Sequence, residues 1–300
     1  MHVAICILTR RRPEGLARLL ASLDAIVVPA GTTAEIVLVE NDDTPRVEVP
    51  PTRLPLRRTL EPRLGIPFAR NRALDEAAVA SDLVAFLDDD ETVDPDWLAA
   101  SLRTFASSGA DVVTGPALPR FPPGSPAWAE RSRVYEAPRY PTGTPRPWAF
   151  THNVIARSGL FRRDGGGFRF DPAMEFSGGS DKELFRRIAD AGHRIAWADD
   201  AIAHEWYPAG RVNFRWILRR SFRLGTNAAR AEGVHGVVGR LALLGRAARY
   251  AARGTLRGLA NLLDPPVAVA VAGWDLARAA GLIAGTFGGR LDEYAERRDG

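Results

Sequence analysis

From Val3 to Gly115, short runs of apolar, largely β-branched residues alternate with segments whose apolar residues recur at helical spacing. This alternation restricts the chain to an α/β fold with a mostly parallel central sheet flanked by helices. Val3 to Leu8, Glu35 to Val39, Arg57 to Leu60, Leu83 to Leu87 and Asp111 to Gly115 read as strands. Between them Pro13 to Leu23, Gly65 to about Ala80 and Pro95 to Phe105 read as helices, the first with proline in its opening turn. A strand near Phe150 to Ala156 returns to the sheet, and Ser180 opens a helix through Ala191 with a capping box to Glu183. The stretch from Pro116 to Pro147 is dense in proline and aromatic residues, which predicts irregular loops with one short helix near Trp128 to Tyr135. From Arg211 onward the chain is helical and rich in Ala, Arg and Leu. The expected division is therefore a sheet domain over 1–210 and a helical extension over 211–300.

A chain of 300 residues buries roughly three quarters of its unfolded surface, so its core needs no metal or disulfide staple. With 46% hydrophobic and 25% charged residues, disorder, collagen-like repeats and a multi-span membrane protein are excluded as overall classes. The single cysteine, Cys6, rules out an internal disulfide and a cysteine-based zinc cluster, and fits the reducing cytoplasm. MHVAICILT enters the first strand with no basic region or small-residue cleavage site, so export through a signal peptide is not expected. The uncharged runs near the C-terminus, Pro265 to Trp274 and Ala279 to Gly289, are separated by Asp275 and Arg278, and each is too short to span a bilayer.

The net charge of +4 hides an asymmetry: residues 1–210 carry −4, 211–257 carry +10 and 258–300 carry −2. Arg211, Arg215, Arg219 and Arg223 recur every four residues along one helix face, and Arg246, Arg249, Arg253 and Arg257 draw a second stripe. Phe214, Ile217, Leu218 and Phe222 line another side of the first helix. Such a basic amphipathic region suits peripheral attachment to an anionic membrane, here the inner face of the cell membrane. A solvated arginine face is the competing reading, because 39 of the 40 basic residues are Arg and only Lys182 is Lys. Arg211 and Arg215 are also placed to grip a phosphate of donor or acceptor.

The strand Leu83 to Leu87 runs directly into Asp88, Asp89, Asp90 and Glu91. Clustered carboxylates at a strand end deliver hard oxygen ligands to the carboxyl edge of the sheet, where open α/β sheets bind their ligands. Mg²⁺ or Mn²⁺ is commonly shared there between one or two carboxylates and substrate phosphates. The plainer alternative is a solvated acidic turn that caps the next helix through Asp94. A second acidic turn, Glu40-Asn41-Asp42-Asp43, closes the second strand, and Arg70-Asn71 opens a helix before the aspartate strand.

Taken in order, these pieces resemble a family 2 glycosyltransferase of the GT-A fold, the Rossmann-like sheet of inverting enzymes. The resemblance lies in ILTRRRP from Ile7 to Pro13, VLVEND with Glu40, Ala69-Arg70-Asn71, the D-x-D string Asp88 to Asp90, Gly178-Gly179-Ser180-Asp181 followed by LFRRIADAG, and the late His204-Glu205. It covers about residues 1–230. It implies that Thr9, Arg12, Glu40 and Arg70 hold the nucleotide of a sugar-nucleotide donor, with Asp88 and Asp89 at the ribose or the metal. It also implies that Asp89 or Asp90, together with His204, ligates Mn²⁺ or Mg²⁺. His152 and Asn153, in WAFTHNVIAR, fall where the family places a loop contacting the donor sugar; strand-edge hydrogen bonding is the alternative. Asp181 is the implied catalytic base, since transfer with inversion needs a carboxylate to take the acceptor proton. Ser180 stands where the family usually has Glu, and a purely structural helix start is the other reading of Ser180 and Asp181. His193 and His235 receive no role.

The expected activity is thus inverting, metal-dependent hexosyl transfer (EC 2.4) from a UDP-, GDP- or dTDP-sugar to a carbohydrate or lipid-linked acceptor in cell-surface polysaccharide biosynthesis. Sugar nucleotidyl transfer is the first alternative, but ILTRRRPEG lacks the lysine and glycine density of a phosphate loop. A non-catalytic nucleic-acid binder would use the 211–257 charge, yet no finger, RRM or helix-turn-helix pattern occurs there, so no nucleic-acid partner is expected.

Overall fold

The computed structural model describes residues 1–174, 179–231 and 236–289; Gly178 and His235 lie outside the described residues. The described residues divide into two compact units, one built from Met1–Leu118 and Ala137–Trp206, the other from Pro119–Glu136 and the described residues between 207 and 289.

The first unit carries strands β1 (His2–Thr9), β2 (Thr33–Glu40), β3 (Leu56–Leu60), β4 (Leu83–Asp88), β5 (Glu91–Val93) and β6 (Val112–Thr114). Strand β7 (Ala117–Arg120) straddles the boundary, and β8 (Pro145–Arg146), β9 (Val154–Arg157), β10 (Ile195–Trp197) and β11 (Ala203–Trp206) complete the set. Helices α1 (Pro13–Asp24), α2 (Ile66–Ala77) and α3 (Trp97–Ser108) belong to the sheet unit, α4 (Trp128–Arg131) to the helical one, and α5 (Ser180–Asp190) returns to the sheet. The main sheet runs β3-β2-β1-β4-β9-β6-β10-β8. Its left half is parallel, and β9 enters antiparallel between β4 and β6.

The first strand shows why the sequence reads as an uninterrupted apolar run. Val3, Ile5 and Ile7 face α1 and α3, packing with Leu16, Leu20, Trp97 and Leu98. Ala4 and Cys6 face α2 and α5, packing with Ala69, Ala73, Leu184 and Phe185. A strand covered on both faces has no polar side to alternate with. The short sheet β5-β11-β7 is the feature the sequence reading lacked, because three- and four-residue strands carry too little pattern to register. The strand expected from Phe150 begins only at Val154, since residues 151–153 form a turn.

The second unit is dominated by α6 (Phe214–Ala231), α7 (Val237–Ala260) and α8 (Pro265–Thr286). Trp128 stacks on Phe214 with ring centroids 4.3 Å apart, and Tyr135 stacks on Trp216 at 5.7 Å, which ties the proline- and aromatic-rich stretch to these helices. Ile217 is fully buried in the same cluster with Phe214 and Trp216 packed against it, while Leu218 stays exposed. The expectation that the C-terminal apolar runs are too short is corrected here. α8 continues through Asp275 and Arg278 for 22 residues, about 33 Å at the helical rise, and by length and composition is long and apolar enough to cross a membrane. The helix tolerates the acid because Asp275 is wholly buried and paired with Arg253 and Arg257 of α7.

Candidate active site

Strands β1 and β4 run in parallel register with Leu8 opposite Asp88, so both chains leave the sheet side by side at its carboxyl edge. Thr9 therefore meets the aspartate turn: its hydroxyl donates to Asp89 Oδ2 at 2.8 Å. The next turn of chain brings Arg12, whose Nη1 donates to Asp89 Oδ1 at 2.8 Å and to Asp90 Oδ2 at 3.0 Å. Two residues into α1, Gly15 lies so close that a β-carbon there would sit 2.5 Å from the Asp89 carbonyl oxygen. Only glycine lets the helix start pass this turn.

On the other side of the aspartates, Arg70 rises from α2 and is buried. Its Nη1 donates to Ser180 Oγ at 3.3 Å, its Nη2 lies 3.9 Å from Asp88 Oδ1, and its guanidinium rests over Phe170. Ser180 and Asp181 open α5, so one arginine joins the end of β4 to the start of that helix. The expected capping box is absent. Gly179, in the left-handed region at φ 85°, takes the cap position, and Glu183 pairs with Arg187 instead of reaching back. Asp181 is half-buried, with Oδ1 accepting the Lys182 amide at 2.8 Å.

Burial dominates the electrostatics, reinforced by the crowding of like charges. Asp88 is pushed up to about 7, by burial first, against the pull of Arg70 and with Asp90, Asp89 and Asp181 adding to the push. The side chain nonetheless keeps 46% of its surface accessible, so water moderates that shift. Burial likewise raises Asp89, against the pull of Arg12. Glu91, missed in the sequence as anything but part of an acidic string, is fully buried and raised well above the carboxylate range by burial and by Asp88. Its Oε2 accepts the Asp88 amide at 2.9 Å, while Oε1 is buried with no hydrogen-bond partner.

Several expected ligands are spent elsewhere. His204 does not join Asp89 and Asp90 in a metal-binding group: its Nε2 is 2.8 Å from Asp94 Oδ1, and its backbone pairs with Thr92 across β11 and β5. No cluster of three His, Cys, Asp or Glu side chains suited to a metal occurs among the described residues. The same contact occupies Asp94, whose side chain does not cap α3; Asp96 takes that position. Asn153 is buried with its amide committed, donating to Pro116 and Ala201 carbonyls at 2.9 and 2.7 Å and accepting from Trp97 Nε1 at 2.9 Å.

Glu40 is fully buried, accepting the Arg46 amide at 2.6 Å and pairing with Arg58, so its carboxylate braces the loop after β2. Arg12, expected on the nucleotide, holds two carboxylates. Arg211 belongs to the helical unit, where its carbonyl accepts the Tyr135 hydroxyl at 3.0 Å. Thr9, Arg70, Asp88, Asp89 and Asp90 are brought together, with Ser180 and Asp181 reached through Arg70.

The donor set fits a hard divalent cation. Asp88 and the partly exposed Asp90 offer carboxylate oxygens at the sheet edge. A cation shared with substrate phosphates needs only one or two protein carboxylates, so the missing three-residue cluster is no obstacle.

The sequence pattern described as glycosyl transferase family 2 matches residues 4–165. The succinoglycan biosynthesis protein ExoM of Rhizobium meliloti (strain 1021) is 34% identical over 249 residues, covering 79% of this chain and 78% of ExoM. The pre-mycofactocin glycosyltransferase of Mycobacterium tuberculosis is 29% identical over 238 residues, 75% of this chain and 47% of that protein. Among solved structures, the mannosyltransferase PcManGT from Pyrobaculum calidifontis, in complex with GDP-Man and Mn²⁺, has a TM-score of 0.60 at 18% identity, over 94% of this chain and 86% of its own. S. aureus TarS in complex with UDP-GlcNAc has a TM-score of 0.52 at 16% identity, over 97% of this chain and 93% of its own. At those identities the two structures establish the shared GT-A-like fold. The family pattern spans more than half of the chain and carries Thr9, Arg70 and the aspartate turn, and ExoM matches most of the chain's length, so this chain belongs to glycosyl transferase family 2 and is a glycosyltransferase.

Proposed function

We propose that the enzyme transfers a sugar, with inversion, from a nucleotide-sugar donor to a carbohydrate or lipid-linked acceptor in cell-surface polysaccharide synthesis. The observation that carries this reading is Arg70, which links Asp88 at the end of β4 to Ser180 at the start of α5 and so sets Asp181 beside the aspartate turn. A donor-binding carboxylate edge and a candidate base thus share one site. The relatedness to ExoM supports a polysaccharide product. UDP-GlcNAc in one structural neighbour and GDP-Man in the other support a nucleoside-diphosphate sugar as donor, with UDP-, GDP- and dTDP-sugars the ones to test.

In this reading Asp88 and Asp90 hold Mn²⁺ or Mg²⁺, with Asp89 positioned behind them by Thr9 and Arg12. When bound, the cation neutralises charge on the diphosphate leaving group. Arg70 orients Asp88 and the first turn of α5. Asp181 accepts the proton of the acceptor hydroxyl at its Oδ2, since Oδ1 is engaged by the Lys182 amide.

Asp181→Asn should lower transfer by about a hundredfold or more while leaving donor binding intact, because only the proton acceptor is lost. The test pairs a turnover assay with Mn²⁺-dependent thermal shifts across UDP-, GDP- and dTDP-sugars. Wild-type turnover in the variant would remove Asp181 as base. An absence of any donor-induced shift across the three nucleotides would remove the donor assignment.

A further inference from the structure

Of the 16 large hydrophobic side chains that stand exposed among the described residues, 11 lie between Val237 and Phe287. They are not scattered. On α7, Val238, Leu241, Ala248, Ala252, Leu256 and Leu259 recur at three-, four- and seven-residue steps and are all exposed, so one face of the helix meets solvent as a continuous apolar stripe. On α8, Val269, Leu276 and Ile283, continued by Phe287 just past its end, form a second exposed stripe at the same spacing. The turn between the two helices presents Leu262 and Leu263, the latter with its whole side chain accessible. Water-facing helix sides are normally polar, and an apolar concentration of this kind marks an interaction surface.

The charge on α7 indicates what covers it. The helix carries Arg240, Arg246, Arg249, Arg253 and Arg257 and no acidic residue. Arg253 and Arg257 are paired with Asp275, whereas Arg240 and Arg249 are exposed, Arg249 within the apolar stripe itself. A second copy of this chain laid against the stripe would bring arginines against arginines, which disfavours it. An anionic lipid surface accepts the leucines among its acyl chains and the guanidinium groups among its phosphates.

We propose that the exposed faces of α7 and α8, with the Leu262–Leu263 turn, form a docking surface for an anionic lipid bilayer. The sequence marked α6 as amphipathic and drew a second arginine stripe along α7; Ile217 of α6 is packed inside the helical unit. The lipid-facing residues are those of α7 and α8.

The test is co-sedimentation of the full chain with vesicles of equal parts phosphatidylcholine and phosphatidylglycerol, and with vesicles of phosphatidylcholine alone. Neither donor nor acceptor is added, so the outcome is independent of the proposed transfer reaction. Wild type should partition to the anionic vesicles about tenfold more strongly than to the neutral ones, and less so as salt is raised. Leu262→Glu with Leu263→Glu, and separately Arg240→Glu with Arg249→Glu, should each reduce that partitioning by about tenfold or more. The exposed leucine pair of the turn is chosen because its loss should leave the thermal midpoint unchanged, and the arginine pair probes the same surface through its charge. Wild type remaining in the supernatant with both vesicle types would overturn the proposal. So would unchanged sedimentation of both variants. A wild-type dimer in size-exclusion chromatography that the leucine pair converts to monomer, without vesicle binding, would assign the surface to a second copy instead.

Discussion

Replacing Arg12 by alanine leaves Asp89 and Asp90 facing each other without the guanidinium that bridges them at 2.8 and 3.0 Å. Removing one partner of a fully buried ion pair costs about 3–5 kcal/mol, because the other charge stays behind uncompensated. Arg12 keeps 38% of its side-chain surface and Asp90 is partly exposed, so water takes up part of that loss and the expected cost is about 2 kcal/mol near neutral pH. For a unit of this size that is about 5 °C in thermal midpoint. The cost depends on pH in a definite direction. Asp89 already holds its proton more tightly in the folded state than a free carboxyl does, and without Arg12 it holds it more tightly still. The folded state then binds more protons than the unfolded one, so stability falls as pH rises from about 4 through the raised value. Urea denaturation at a series of pH values from about 4 to 8 should therefore show a deficit that is small at the acid end and complete at the alkaline end. Added Mn²⁺ should raise the midpoint of the variant more than that of wild type, since the cation replaces the lost positive charge. A deficit of the same size at every pH, or none at neutral pH, would refute the assignment of Arg12 as the counter-charge of the aspartate turn.

Gly15→Ala places a β-carbon against the Asp89 carbonyl, a contact neither backbone can relax cheaply, and should cost about 1–3 kcal/mol as well as weakening donor binding; thermal melts with and without sugar nucleotide read both effects. An alanine variant that melts like wild type would mean that α1 moves freely against the turn. Asp275→Asn leaves Arg253 and Arg257 without their buried acid. Because both arginines can turn toward solvent, the loss should be about 2 kcal/mol and not the full value for a buried pair, seen as a lowered melting midpoint with no change in donor affinity. A donor-affinity change in that variant would contradict a purely structural role.

How far the sequence could be read differs from element to element. The strands of the main sheet were legible because Val3 to Leu8, Val37 to Val39 and Leu83 to Leu87 are buried on both faces, which leaves a run of apolar residues no helix would need at that length. The aspartate turn was legible for the same reason: three carboxylates after such a run have nowhere to go but the sheet edge. The small sheet of β5, β7 and β11 was not, because its strands are too short to carry a period. Of the side chains singled out, Thr9, Arg70 and the aspartates meet in space, whereas His204 and Asn153 are absorbed into the framework by Asp94, Trp97 and two carbonyls. Nothing near either residue in the chain signals that commitment.

The order of elements, the carboxylate edge and the basic C-terminal third follow from the sequence, since strand and helix patterning and local charge are properties of neighbouring residues. Which carboxylates remain open to a ligand was decided by the tertiary structure. The Leu8–Asp88 register brings Thr9 and Arg12 onto Asp89 across about 80 residues of chain, and Arg70 reaches Ser180 across 110. The same holds for the exposed stripes of α7 and α8: their periodicity is written in the sequence, but only packing shows which apolar face of the helical unit is used up inside and which is left facing water. Side-chain partners are set by distance in space, and a polar group satisfied by a remote partner has the same local sequence as one left free to bind.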